Sequence, residues 1–410
     1  MSMVHVHSGG RDAPGWLGAV ASVVRRGGAA WVTVIASVLL VVMGTLAIDA
    51  AESLHAPTAH LLGPTALRHL LFAALGMGIA AAVAVPNYRR VGPYAIVLYA
   101  AMLCLLVFLL IPFVPSSIVR ARGGARAWID LGPLDLQPSE LMKVAYILLL
   151  AWYLRYKKNH RTLKGLLWPA AITAVPMGLI MLQPDLGTAV LFIPALFFVL
   201  IAAGAKLKHL SLAVLIAMLG APAVYPVLKP HQQQRIVGLL LQVRGDARED
   251  MDINMQPVTS KRLTGAGGLF GRSETETRAL HHFNALPERH NDMVFAPVVT
   301  RFGFVGGIAV IGLCVAWCVG ALLTAGVCGS PFGRLACVGA VGFFFAQTVI
   351  NIGMSMGMVP IIGITLPFVS HGGSSMIAQW LMSGLVLSAA LHRGGYEMGQ
   401  RLNFEDAELE

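Results

Sequence analysis

The sequence predicts an all-α, polytopic membrane protein with about ten transmembrane helices and a large extracytoplasmic loop between the seventh and eighth. Three observations predict it. Hydrophobic residues make up 56% of the 410 positions and charged residues only 12%, far from the make-up of an ordinary soluble domain. The mean hydropathy is +0.71. The apolar residues also gather into runs of about 20, the length that crosses a bilayer, broken by one long polar stretch at 229–295. In lipid only helices and closed barrels satisfy every backbone group, and runs of this length are helical.

Ten candidate spans follow in order: Trp31–Ile48, His69–Val85, Tyr94–Pro112, Leu141–Leu154, Trp168–Leu182, Leu186–Ala203, Leu210–Leu228, Ala296–Leu322, Leu335–Met358 and Ser374–Leu391. Residues 1–30 read as an N-terminal tail, 31–391 as one membrane domain and 392–410 as a C-terminal tail. The first apolar run, preceded by about thirty residues and without an A-x-A-like cleavage site, reads as a retained helix. Only QPDLGT separates the fifth and sixth spans, and its Pro and Gly mark a turn.

Basic residues set the orientation. Arg89, Arg90, Arg155, Lys157, Lys158, Arg161, Lys164, Lys206, Lys208 and Arg334 follow even-numbered spans, while Arg25, Arg26, Arg393 and Arg401 flank the whole set. The positive-inside rule then puts both termini in the cytoplasm and the long loop outside the cytoplasmic membrane. That loop carries nine Lys and Arg against eight Asp and Glu, which suits a solvated loop as well as an anion site for phosphate groups. Topology and the outer loops account for the net charge of +10, so nothing points to nucleic acid. No ionisable residue falls near the middle of a span, which favours chemistry at the membrane surface over ion-coupled transport. The five cysteines avoid the long loop and imply no disulfide framework.

Several segments carry candidate chemistry, each with a plainer alternative. The run from Gly123 to Lys143, containing GARAWIDLGPLDLQPSELMK, reads as a re-entrant or interfacial loop entering a helix. There Ser139 can cap the helix, and Glu140 and Lys143 share a face as an ion pair unless Lys143 meets a phosphate. Asp185 of QPDLGT is either an N-cap or a carboxylate facing the same outer cavity. GAGGLFG, Gly265–Gly271, lacks the preceding strand and the GKS ending of a phosphate loop and reads as a flexible turn. QQQRIVGLLLQVR resembles a short interfacial amphipathic helix. In LPERHNDMVFAP, Asp292 is the leading catalytic candidate, with an N-cap for the eighth span as its alternative. A metal site from Glu288, His290, Asp292, His281 and His282 is an unspecific third option. Gln347, Asn351 and Ser355 recur every fourth residue and predict interhelical hydrogen bonds. Ser370, Ser374 and Ser375 line a polar cavity or cap the tenth span.

These motifs, from about Gly123 to Leu391, resemble in kind and order those of the SEDS family, to which RodA and FtsW belong. The resemblance implies a ten-helix peptidoglycan glycosyltransferase that polymerises lipid II on the outer face of the cytoplasmic membrane. A class B penicillin-binding protein is the implied transpeptidase partner. Asp292 matches the family's essential loop aspartate and would act as general base on the acceptor 4-hydroxyl. Lys143 and Asp185 match its functionally sensitive lysine and aspartate, and Glu140, Arg235 and Ser374 would line the cavity. Diphosphate chemistry is compatible with a divalent cation, for which the sequence specifies no ligand set. The chain departs from the family pattern at Thr300 and Arg301, where an acidic pair is usual, at His371 in place of a tyrosine, and in Asp292-Met293-Val294-Phe295. LPERH and NIGM lean towards RodA and cell elongation.

Two readings compete with the polymerase. A flippase for lipid-linked precursors predicts that Asp292 is dispensable. A non-catalytic scaffold for a penicillin-binding protein predicts partner binding without turnover.

Overall fold

The computed structural model describes residues 23, 26–52, 62–115, 117–122, 125–132, 135–157, 162–224, 226, 233, 237, 255–284, 286 and 288–393. Among these, eight helices are long and apolar enough to cross a membrane, which makes the chain a multi-pass membrane protein. They are α1 (Ala30–Ala50), α2 (Pro64–Ala84), α3 (Ala95–Leu110, with the turns that precede it from Tyr88), α5 (Leu167–Leu182), the pair α6 (Leu186–Val190) and α7 (Phe192–Ala203), α11 (Phe295–Val327), α12 (Pro331–Ser355) and α13 (Gly373–Leu391). The other two predicted spans are also helical. The fourth is α4 (Pro138–Leu154), only 17 residues long, and the seventh is α8 (Leu207–Val224). Two further helices, α9 (Met255–Ala266) and α10 (Glu274–Phe283), belong to the long loop.

Local chemistry sets the helix ends. Pro64, Pro138 and Pro331 occupy first helical positions, where a missing N–H costs nothing. Gly204 ends α7 in the left-handed conformation at φ 89°, and Ala205 N–H closes on Leu200 O at 2.9 Å. Ser273 and Glu276 form a reciprocal capping box at the start of α10.

The bundle has a centre and a rim. α12 and α13 bury 78% of their spanning residues inside the protein, against 22% for α5. α2 packs along α13, α1 along α11, and α7 along α12. Small residues set these distances: a Cβ on Gly384 would strike the Ala80 backbone, and one on Gly44 the Val369 backbone. Large apolar side chains such as Leu71, Ile96, Val97 and Leu167 point outward, while polar groups turn inward. Trp317 stacks on Phe344 with ring centroids 3.9 Å apart and donates from Nε1 to Ser383 Oγ at 3.1 Å, joining α11, α12 and α13.

The run expected as a re-entrant loop is instead a three-stranded antiparallel sheet: β1 (Val119–Arg122), β2 (Ala125–Asp130) and β3 (Asp135–Leu136). The alternation in ARAWID explains it, since Ala125, Ala127 and Ile129 are buried while their neighbours are half-exposed. Ile129 and Val119 pack with Leu109 at the end of α3. The sheet delivers the chain directly into Gln137 and α4.

Candidate active site

The site is assembled around Asp292, which lies in a turn and not at a helix cap. α11 starts at Phe295 with Val294 as its flanking residue and no side-chain cap. Glu288 opens the turn in the left-handed region at φ 53°, a conformation a non-glycine residue holds only where its surroundings impose it. Asn291 N–H and Met293 N–H both donate to Glu288 O, at 3.0 and 3.1 Å, and Asn291 Nδ2 donates to Glu288 Oε2 at 2.6 Å.

Three successive carbonyls of this turn are then held from outside it. His290 O accepts from His371 N–H at 2.7 Å, Asn291 O from Ser370 Oγ at 2.6 Å, and Asp292 O from Asn351 Nδ2 at 2.8 Å. Asn351 also donates to Ile364 O at 2.6 Å, tying the segment between α12 and α13 to the same point. The backbone of Asp292 is therefore fixed by α12 and by the approach to α13. Its carboxylate is half-buried and faces Gly363, where an added Cβ would lie 3.5 Å from Oδ2. Gly363 adopts φ 70°, so this close approach requires glycine on conformational grounds too.

Lys143 and Glu140 lie below this turn. Lys143 is 0% exposed, with Nζ 2.7 Å from Glu140 Oε2 and 3.3 Å from Gln347 Oε1. Gln347 Oε1 also accepts from Gln379 Nε2 at 2.7 Å. Gln347 and Asn351 are one turn apart on α12, about 6 Å along its axis, so the buried cation and the backbone of Asp292 hang from adjacent turns of one helix. The predicted ion pair is present, whereas the predicted Ser139 cap is not. Gln137 occupies that position, Pro138 fixes the first turn, and Ser139 is buried.

Asp185 does cap, accepting from Thr188 N–H at 3.0 Å, and its other oxygen accepts from Gln137 Nε2 at 3.0 Å. Burial pushes its carboxyl above the usual carboxylate range, Glu140 adds to that, and the Thr188 bonds and Lys143 oppose it. Ser374 links the sheet to α13, accepting from Gln137 N–H at 2.9 Å and donating to Asp135 O at 2.6 Å. It does not cap α13, which starts after Gly372 without a side-chain cap. Gly187 lets α6 press on the Ile362 carbonyl, next to the glycine that faces Asp292. Asp185, Glu140, Lys143, Ser374 and Asp292 thus converge, whereas Arg235 lies outside the described residues, as does most of the predicted amphipathic segment QQQRIVGLLLQVR.

The histidines around the turn are neutral at neutral pH. Burial holds His281 down at about 3 and His290 at about 4, with Arg289 as the next cause for each, and burial and Arg68 lower His371. Arg289 is the cation next to Asp292 in sequence, donating from Nη1 to His281 O at 3.1 Å and from Nε to His290 Nε2 at 3.3 Å. Among the described residues no three His, Cys, Asp or Glu side chains group closely enough to hold a metal ion. Sequence reasoning missed Gln137 and Gln379. Gln137 belongs to the QPSELMK motif, but nothing in the motif points to Asp185 as its partner, and Gln379 stands in no motif; Gln347, Asn351 and Ser355 stand out by their four-residue spacing.

GAGGLFG is a turn, as expected, and it docks on α11. Gly268 and Gly271 have φ of 59° and 88°. Arg272 N–H donates to Thr300 O at 2.9 Å and Phe304 N–H to Gly268 O at 2.8 Å, where α11 breaks at Gly303 with φ 70°.

Comparison with known proteins agrees with this arrangement. A family described as cell cycle protein, grouping FtsW, RodA and SpoVE, matches residues 30–394. The stage V sporulation protein E of Bacillus subtilis is 32% identical over 79% of this chain and 86% of its own length. The peptidoglycan glycosyltransferase MrdB of Escherichia coli K12 is 32% identical over 66% of this chain and 72% of its own. A chain from a structure titled as the coordination of polymerization and crosslinking by a peptidoglycan synthase complex superposes with TM-score 0.74 at 30% identity, covering 90% of this chain and 98% of its own. The rod shape determining protein RodA of Thermus thermophilus gives TM-score 0.63 at 28% identity, covering 89% and 97%. With motifs, fold and the match over nearly its whole length in agreement, the chain belongs to the FtsW, RodA and SpoVE family of cell cycle proteins.

Proposed function

We propose that this chain is a peptidoglycan glycosyltransferase that polymerises lipid II into glycan strands at the outer face of the cytoplasmic membrane, with Asp292 as general base. The observation that carries the reading is the three-carbonyl clamp on His290, Asn291 and Asp292. It holds one carboxylate in place at the end of a membrane helix, as proton transfer to a positioned base requires. Relatives named as peptidoglycan glycosyltransferases support the reaction class.

In this reading Asp292 takes the proton of the acceptor sugar 4-hydroxyl as that oxygen attacks the anomeric carbon of the donor. The bond from that carbon to the diphosphate breaks, and the undecaprenyl diphosphate leaves with the electron pair. Lys143, neutralised in part by Glu140, and Asp185 set the potential behind the reacting groups, and Ser374 and Gln137 fix their mutual position. Arg289 supplies positive charge near the departing diphosphate. The positive-inside pattern supports cytoplasmic termini, and a class B penicillin-binding protein is the proposed partner in elongation or division.

The test is polymerisation of labelled lipid II by the purified protein, with and without that partner, for wild type, Asp292→Ala and Asp292→Asn. Glycan chains from wild type and at least about a hundredfold less from both variants is the expected result. Partner binding by folded wild-type protein without product would refute it in favour of a scaffold. Transbilayer movement of lipid II that survives Asp292→Ala would favour a flippase.

A further inference from the structure

The GAGGLFG turn has a feature that the glycosyl transfer chemistry does not use. α11 is 33 residues long, more than a bilayer needs. The part beyond the break at Gly303, Phe304 to Val327, by itself rises about 36 Å, enough to cross. The segment Phe295–Phe302 is therefore not needed for the crossing. The loop docks at the break: Phe304 N–H and Val305 N–H donate to Gly268 O and Leu269 O at 2.8 and 3.2 Å.

Leu269 and Phe270, at the tip, are 64% and 83% exposed, and beside them Phe304 and Val305 of α11 are 59% and 53% exposed. The four side chains continue the lipid-facing surface of α11 past its break. Basic groups flank them. Arg272 donates from Nε to Ala266 O at 2.8 Å, and Arg301 donates from Nη1 to Arg272 O at 3.0 Å with its guanidinium carbon 5.4 Å from the Phe302 ring centroid. Lys261 and Arg262 are exposed on α9. Neither Arg272 nor Arg301 takes part in the ion pairs of Lys143 with Glu140 or of Arg278 with Asp49 and Glu274. Glu276 lies in the field of Arg272 and offsets part of that arginine's charge.

We propose that Leu269 and Phe270 insert into the leaflet on the loop's side and that Arg301, with Arg272, binds the phosphodiester of an anionic bilayer phospholipid. The wedge supplies apolar burial and the arginines supply headgroup choice, the combination that holds interfacial segments on charged membranes.

The purified full chain, reconstituted without partner in vesicles of phosphatidylcholine with phosphatidylglycerol, tests this. Phe270→Trp and, separately, Leu269→Trp add an indole whose emission is read as the difference from wild type. Either acyl-brominated lipid should quench it, and brominated phosphatidylglycerol should quench at a several-fold lower mole fraction than brominated phosphatidylcholine. Arg301→Gln should cut that preference by about fivefold, and Arg272→Gln by less. Quenching without headgroup preference, or a preference untouched by Arg301→Gln, would overturn the lipid site. No quenching of either indole in vesicles that hold folded protein would overturn the insertion and leave the patch to a protein partner.

Discussion

The buried pair of Lys143 and Glu140 allows a prediction of definite size. Both side chains are withdrawn from solvent, with Nζ 2.7 Å from Oε2, and Lys143 Nζ also donates to Gln347 Oε1 at 3.3 Å. Removing one charge leaves the other in the interior with an amide for company. Breaking a buried pair in this way costs about 3–5 kcal/mol, whereas replacing both charges by groups of similar volume is close to neutral. Glu140→Gln and Lys143→Met should each destabilise by about 3–5 kcal/mol, and the double variant by no more than about 2 kcal/mol. The assay is the unfolding midpoint in a single detergent, completed as a double-mutant cycle. Lipid II polymerisation, measured on the same four proteins, separates stability from chemistry. If Lys143 sets the potential for the transfer step, the double variant regains its fold without regaining activity. Single variants that lose less than about 1 kcal/mol, or a double variant whose loss equals their sum, would refute the argument that the two charges depend on each other.

Three further outcomes follow from the geometry. Asn351→Leu strips donors from the carbonyls of Asp292 and Ile364 and should lower kcat about tenfold to a hundredfold with a smaller change in KM, measured on labelled lipid II. Gly303→Ala forces a side chain into a φ of 70° and against Leu269 O and Gly271 N, so it should cost about 2 kcal/mol or more and speed proteolysis between α9 and α10. Acidification should destabilise the loop through His281, whose folded value of about 3 lies below its ordinary 6.5. The unfolded chain takes up the proton first, so this contribution is complete above pH 6.5 and is lost as pH falls towards 3, the loss amounting to about 2 kcal/mol at pH 5. Thermal unfolding at pH 7.5 and pH 5 checks it: His281→Leu should narrow the gap between the two midpoints, and an unchanged gap would exclude the histidine.

The membrane helices were legible because length and hydropathy are summed over about 20 residues, and errors at single positions average out. Helix ends were less so: α12 starts at Pro331 and not at Leu335, since Pro is free to occupy the first turn ahead of the apolar run. The sheet is hard to see in the sequence although ARAWID alternates, because the glycines and prolines beside it give loop signals and two of its strands are short. Asp292, Lys143, Asp185 and Glu140 could be picked out through their motifs. Their mutual placement could not, because it depends on groups such as Gln137 and Gln379 whose partners lie 48 and 32 residues away. A hydrogen bond between distant segments leaves no periodic trace in a sequence.

What joins these parts is one face of α12. Gln347 meets the buried Lys143, Asn351 meets the backbone of Asp292, and Ser355 receives Ser260 Oγ on its carbonyl at 2.8 Å, bringing in α9 of the long loop. The spacing of four residues gives each group its own turn, so one rigid helix sets the height of the buried cation, the base and the loop above it. α12 can do this because it is the most enclosed part of the bundle together with α13, shielded from lipid by α7, α11 and α4. A carboxylate on a long polar loop would otherwise wander with that loop. Tied through Asn351 to the centre of the bundle, it moves with the membrane domain, so a partner that shifts the loop must either carry α12 along or break the clamp.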